Sequence, residues 1–136
     1  MTCERHKIPT SELQKFENTF LATCKKFGML DWNITFHRGK PPEDCFALIH
    51  CDPLTRSATV MCNDSNDESE YGKFDAYNTG IHEAMHMLLA TFEQLARRRD
   101  ATNDDINQEI ERLTVLFANV LADGKFIQLE KRTRAK

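Results

Sequence analysis

Apolar residues return along this chain with two different periods, and the points where the period changes outline its elements. Leu13, Phe16, Phe20, Leu21, Cys24 and Phe27 recur at the spacing of one helical face, so an amphipathic helix is expected there. Ser11 with Gln14 three residues on resembles a capping box at its start, and Gly28 is a natural stop. From Asp31 to His37 the period falls to two, with Trp32, Ile34 and Phe36 on one face and His37 on the other, as in a half-buried strand. Gly39-Lys40-Pro41-Pro42 breaks that strand. Cys45 to Cys51, closed by Asp52-Pro53, and Ser57 to Cys62 read as two further strands, near enough in sequence to pair as a hairpin. The expected sheet is small and mainly antiparallel.

Asn63 to Lys73 is polar and acidic without periodicity, which predicts a surface loop. It lacks the central glycine and ligand order of a calcium loop, so it reads as a solvated linker, placed to overhang whatever the next helix carries. That next helix starts at Asn78 or Thr79, either of which can cap it, and its apolar face runs through Ile81, Met85, Leu88, Leu89, Phe92 and Leu95. Arg97-Arg98-Arg99 suits a helix C-terminus on dipole grounds alone. Thr102 with Asp105 caps a last helix, whose stripe of Ile106, Ile110, Leu113, Phe117, Val120 and Leu121 ends before Gly124. The fold class is therefore α+β. Residues 1–136 are expected to form one domain with an ordered core at about 9–124, leaving 125–136 as a basic, frayed tail.

Composition narrows the function without choosing it. With 40% hydrophobic and 29% charged residues and a net charge of −3, nothing argues for a nucleic-acid or membrane partner, and neither is expected. The start of the chain lacks the apolar core of a secretion signal and no apolar run has membrane-spanning length, so the expected location is the cytoplasm. The five cysteines, Cys3, Cys24, Cys45, Cys51 and Cys62, are odd in number and irregularly spaced, which fits reduced thiols. No CxxC pair supports a second zinc among Cys45, Cys51 and Cys62, and small hydrophobic fillers are the better reading.

Candidate chemistry lies in Ile81-His82-Glu83-Ala84-Met85-His86-Met87. This is an HExxH sequence, and on a helix residues four apart stand one above the other, so His82 and His86 present two imidazoles to one point. Glu83 lies one step round the barrel. The pattern is that of a zinc ion held by two histidines with the glutamate as general base.

A catalytic zinc generally takes three protein ligands, and no histidine follows His86. The last helix should run antiparallel to the HExxH helix with apolar faces together. At about 100° per residue, Glu109 falls inside its buried arc, which makes it the expected third ligand, with Glu111, outside the arc, as the alternative. Asp105 suits capping better, and His37 and His50 read as ordinary strand histidines. Tyr71, Tyr77 or His37 is conceivable as an oxyanion helper, although none carries a sequence signal.

Helix, three short strands, HExxH helix and carboxylate-bearing helix, in that order, resemble the zincin fold of metallopeptidases in its smallest form. The likeness is to the glutamate-ligand branch, and within it to the small zincin-like proteins encoded by phages and prophages. It spans most of residues 11 to 123, with His82, Glu83 and His86 carrying the motif. The resemblance implies His82 and His86 as zinc ligands, Glu83 as general base and Glu109 as third ligand. Leu89 and Phe92 stand where metzincins need glycine and histidine. The second helix, Glu109-Ile110-Glu111-Arg112-Leu113-Thr114, lacks the Glu-x-x-Ala-Asn pattern of phage-repressor-cleaving peptidases, and no NExxxD signature of the thermolysin kind is present.

The expected function is zinc-dependent hydrolysis of a peptide bond in a peptide or protein substrate. The alternative is a non-catalytic, zinc-stabilised interaction module or phage accessory protein. Retention of Glu83 favours the enzyme, since a purely structural metal has no use for that carboxylate.

Overall fold

A computed structural model of the chain describes residues 6–42, 45–66 and 74–122. Helix α1 (Thr10–Lys26) starts directly after Pro9, whose carbonyl accepts from the N–H groups of Glu12 and Leu13. The Ser11–Gln14 capping box does not form, because the helix begins two residues earlier, with Pro9 in the cap position, and the Gln14 side chain is held by Asn18 and Arg38. Phe16, Phe20 and Cys24 are wholly buried, while Leu21, also counted in the stripe, is exposed. At the far end Gly28 adopts φ +71°. Met29 N–H then reaches the Cys24 carbonyl and Gly28 N–H that of Lys25, the paired bonds of a Schellman stop that only glycine enters without strain.

The three strands are β2 (Asn33–Gly39), β3 (Ala47–Asp52) and β4 (Ser57–Asn63), in the order β2-β4-β3. β3 and β4 form the expected hairpin, antiparallel from Ala47↔Cys62 to Asp52↔Ser57. β2 pairs with β4 in parallel, Asn33↔Ser57 to Gly39↔Asn63, so the sheet is mixed rather than mainly antiparallel. The physical reason is burial. β4 carries Ala58, Val60 and Cys62, all buried, and takes the centre, where it has a neighbour on both sides. The chain leaving β2 must then step past that central place before β3 begins.

A further two-residue ribbon, β1 (His6–Lys7) against β5 (Ser65–Asn66), is antiparallel. It lies partly within the stretch expected to be a loop; two residues are too few to show a period. The remainder of that stretch, 67–73, lies outside the described residues, as do Cys3, Gly124 and the tail.

Helix α2 (Ala76–Arg97) is capped by Asp75, whose carboxylate accepts from Asn78 N–H at 3.1 Å. The cap therefore precedes the expected Asn78 or Thr79 by one turn, because the first turn is polar and carries no apolar period. Helix α3 (Asn103–Ala122) does open on its expected capping box: Thr102 N–H donates to Asp105 Oδ2 at 3.0 Å and Asp105 N–H to Thr102 Oγ1 at 3.1 Å.

One cluster unites the layers: Phe16 and Phe20 from α1, Val60 and Cys62 from β4, Ala84, Met87 and Leu88 from α2, and Leu113 from α3. α1 and α2 pack closely because residue 80 is glycine. A Cβ there would stand 2.9 Å from the Phe16 carbonyl oxygen and 3.0 Å from Thr19 Cβ. α3 leans on α2 through a narrow seam, so Leu113 is buried but Ile110 and Phe117, expected in the stripe, are 47% and 38% exposed. Among the described residues no helix is long and apolar enough to cross a membrane.

Candidate metal centre

Two turns into α2 the helix carries His82, Glu83 and His86, and their donor atoms all lie within 4.8 Å of one another. Both histidines are exposed and Glu83 is buried. The two Nε2 atoms are 3.1 Å apart, with ring centroids at 4.8 Å and planes at 74°. Two nitrogens bound to one tetrahedral zinc at ordinary bond lengths would stand about 3.3 Å apart. The imidazole pair therefore already has the separation that a shared cation requires. At 3.1 Å one ring can equally donate an N–H to the other, depending on tautomer.

Glu83 turns inward, 7% exposed. Among the described residues no hydrogen bond or ion pair to its carboxylate occurs. Burial pushes its pKa up to about 7, since the charged form loses water and gains no partner. A carboxyl in that range can both take and return a proton near neutrality.

The site opens into a cleft of about 870 Å³. One wall is β3 with its approach, Cys45 to Cys51 and Pro53; the other is the face of α2 from Asn78 to Arg97. β3 is an edge strand of its sheet, so its outer N–H and C=O groups face away from β4.

The structure does not bring the expected third ligand to this group. Glu109 is buried, 6% exposed, as its helical phase predicted. Its carboxylate, however, accepts from Arg112 Nε at 2.9 and 3.1 Å, and Arg112 also reaches the Leu88 carbonyl at 3.4 Å. Leu88 lies a third of a turn or more round α2 from both imidazoles, so α3 stands on another side of that helix. Glu111 is exposed to solvent and is not part of the donor group either.

The remaining candidates are dispersed. His37 lies on β2, at the opposite edge of the sheet from the cleft. His50 lines the cleft but is not within the His82, Glu83 and His86 group. Tyr77 is 52% exposed and does not line the cleft, and Tyr71 lies outside the described residues. Asp105 caps α3. Cys24, Cys45, Cys51 and Cys62 take part in no disulfide. Burial pushes Cys24 and Cys62 up to about 12 and Cys51 to about 11, so all three stay protonated and behave as apolar packing.

The motif by itself does not point to the far end of the cleft, where Glu93, Gln94 and Arg97 line the α2 wall. A signal was present. Glu93 and Arg97 follow His86 by seven and eleven residues, intervals that return to the same face of a helix.

No protein-family model, curated protein or solved structure matches this chain.

Proposed function

We propose that this protein is a zinc-dependent hydrolase of peptide bonds built on a minimal zincin-like fold. The observation that carries the reading is the convergence of His82 and His86 Nε2, 3.1 Å apart, beside a buried carboxylate, all three lining one open cleft. The arrangement of an edge strand across from the HExxH helix also supports it, because an extended chain can be held there by backbone hydrogen bonds. β3 is the strand so placed.

His82 and His86 would hold the ion. When bound, zinc supplies polarisation of the scissile carbonyl and acidification of water. Glu83 removes the proton of the attacking water and passes it to the leaving nitrogen. The free edge of β3 orients the substrate backbone and excludes bulk water from one side of the bond.

An exposed histidine pair in a cleft favours the enzyme over a structural metal, whose shell is closed by protein ligands. The test is elemental analysis together with peptide cleavage, on wild type and Glu83→Gln. Zinc in both and turnover only in wild type is the expected result. Wild-type protein that holds zinc and cleaves no peptide in a diverse mixture would return the site to a purely stabilising role.

A further inference from the structure

The cleft continues well past the metal centre, and its far end is charged. Glu93 and Arg97 both line it and pair with each other at 2.7 Å, with 53% and 78% of their side chains exposed. An exposed pair of this kind contributes little to stability, so either head can exchange its partner for a ligand charge at little cost.

The direction of the cleft follows from two contacts. Phe46, just before β3, meets Phe74, just before α2, with ring centroids 5.6 Å apart. Cys51, near the end of β3, lies within electrostatic reach of both Glu83 and Glu93. Strand and helix therefore run the same way along the two walls. A chain paired antiparallel to β3, the more stable mode per residue, would lead from the Arg97 end toward the Asn78 end.

Spacing then assigns positions. At 1.5 Å per residue, Glu93 lies about 13 Å and Arg97 about 19 Å along α2 from the midpoint of the histidine pair. At about 3.3 Å per residue of extended chain these are about four and six residues. The two positions differ by two, so their side chains emerge on the same side of an extended ligand.

Resting on the peptidase reading above, the geometry points to Glu93 and Arg97 as specificity-determining residues that select an extended peptide with an acid-x-base order. The basic residue lies about four, and the acidic residue about six, positions N-terminal to the scissile bond. The ligand base meets Glu93 and the ligand acid meets Arg97. Their order is set by the order of the two residues on the helix.

The test uses zinc-supplied Glu83→Gln protein, to stop turnover, and two fluorescent ten-residue peptides that differ only in whether they carry Glu-x-Lys or Lys-x-Glu. Anisotropy titration should show the Glu-x-Lys peptide binding about tenfold more tightly at low salt, with the advantage shrinking in high salt. The exchange Glu93→Lys with Arg97→Glu should reverse the preference. Equal binding of the two peptides, or a preference that the exchange leaves in place, overturns the inference. Wild-type cleavage of unrelated peptides, assayed in parallel, separates the two claims. Cleavage without charge order removes this inference alone, and charge order without cleavage removes the hydrolytic reading alone.

Discussion

Glu109 and Arg112 hold each other across one turn of α3, carboxylate to Nε at 2.9 Å, and Arg112 extends to the Leu88 carbonyl of α2. The carboxylate is buried while Arg112 is only partly covered, so the pair satisfies a charge that α3 would otherwise bury alone. The same pair ties the last helix to the one that carries the motif.

This arrangement separates stability from metal binding. Glu109→Gln should lower the unfolding free energy by about 1–3 kcal/mol through the lost charge-assisted bonds. Zinc stoichiometry should stay the same. Urea denaturation and elemental analysis on one preparation check both, and loss of the metal with little loss of stability would make Glu109 a ligand after all.

Much of the site is legible in the sequence, and the reasons are local. His82 and His86 converge because four residues make about one helical turn, whatever surrounds them. Thr102 with Asp105, the Gly28 stop and the β3–β4 hairpin also rest on neighbouring residues, and each appears where expected. What failed to show was relational. Nothing in the alternation of Asn33 to His37 tells whether the strand lies beside β3 or beside β4. The burial of Glu109 was legible from phase, but a phase says nothing about which partner a buried acid takes. Arg112, three residues on, is the nearest cation on its own helix. Asp75 as the cap of α2 escaped because its first turn is too polar to join the apolar pattern.

Gly80 is a second place where packing and site are coupled. Gly80→Ala would set a methyl 2.9 Å from the Phe16 carbonyl oxygen, and backbone cannot yield as a side-chain tip can. Pushing α2 from α1 should cost about 1–3 kcal/mol. Since His82 is two residues further along α2, zinc affinity should fall as well. Thermal unfolding and competitive zinc titration report the two effects, and an unchanged melting temperature would mean that the helices are not in this contact.

Alkaline pH should expose the buried thiols. Cys24 is wholly buried and its pKa is pushed up to about 12 from 9.0, chiefly by burial. Between those values the unfolded chain gives up its proton and the folded chain keeps it. The folded state binds more protons there, so stability falls as pH rises from about 9 toward 12. By pH 10 the loss should be about 1 kcal/mol for this group. Cys24→Ala should flatten that part of the profile relative to its own value at neutral pH, measured by denaturant midpoints under reducing conditions. An unaltered alkaline slope would show that the thiol is not sealed from water.

The histidine pair makes the most direct demand on the metal reading. Removing one imidazole leaves a cation a single nitrogen donor from α2, so His82→Ala or His86→Ala should each weaken zinc binding by at least about a hundredfold. Neither change should unfold the protein, because both rings are exposed and contribute little to the core. If zinc binds only the folded form, wild type should also melt at a higher temperature with zinc than with a chelator, by an amount that grows with the logarithm of free metal. The two alanine variants should lose that dependence while keeping the chelated protein's melting temperature. A zinc-dependent rise that survives in both variants would place the metal somewhere other than on these two rings.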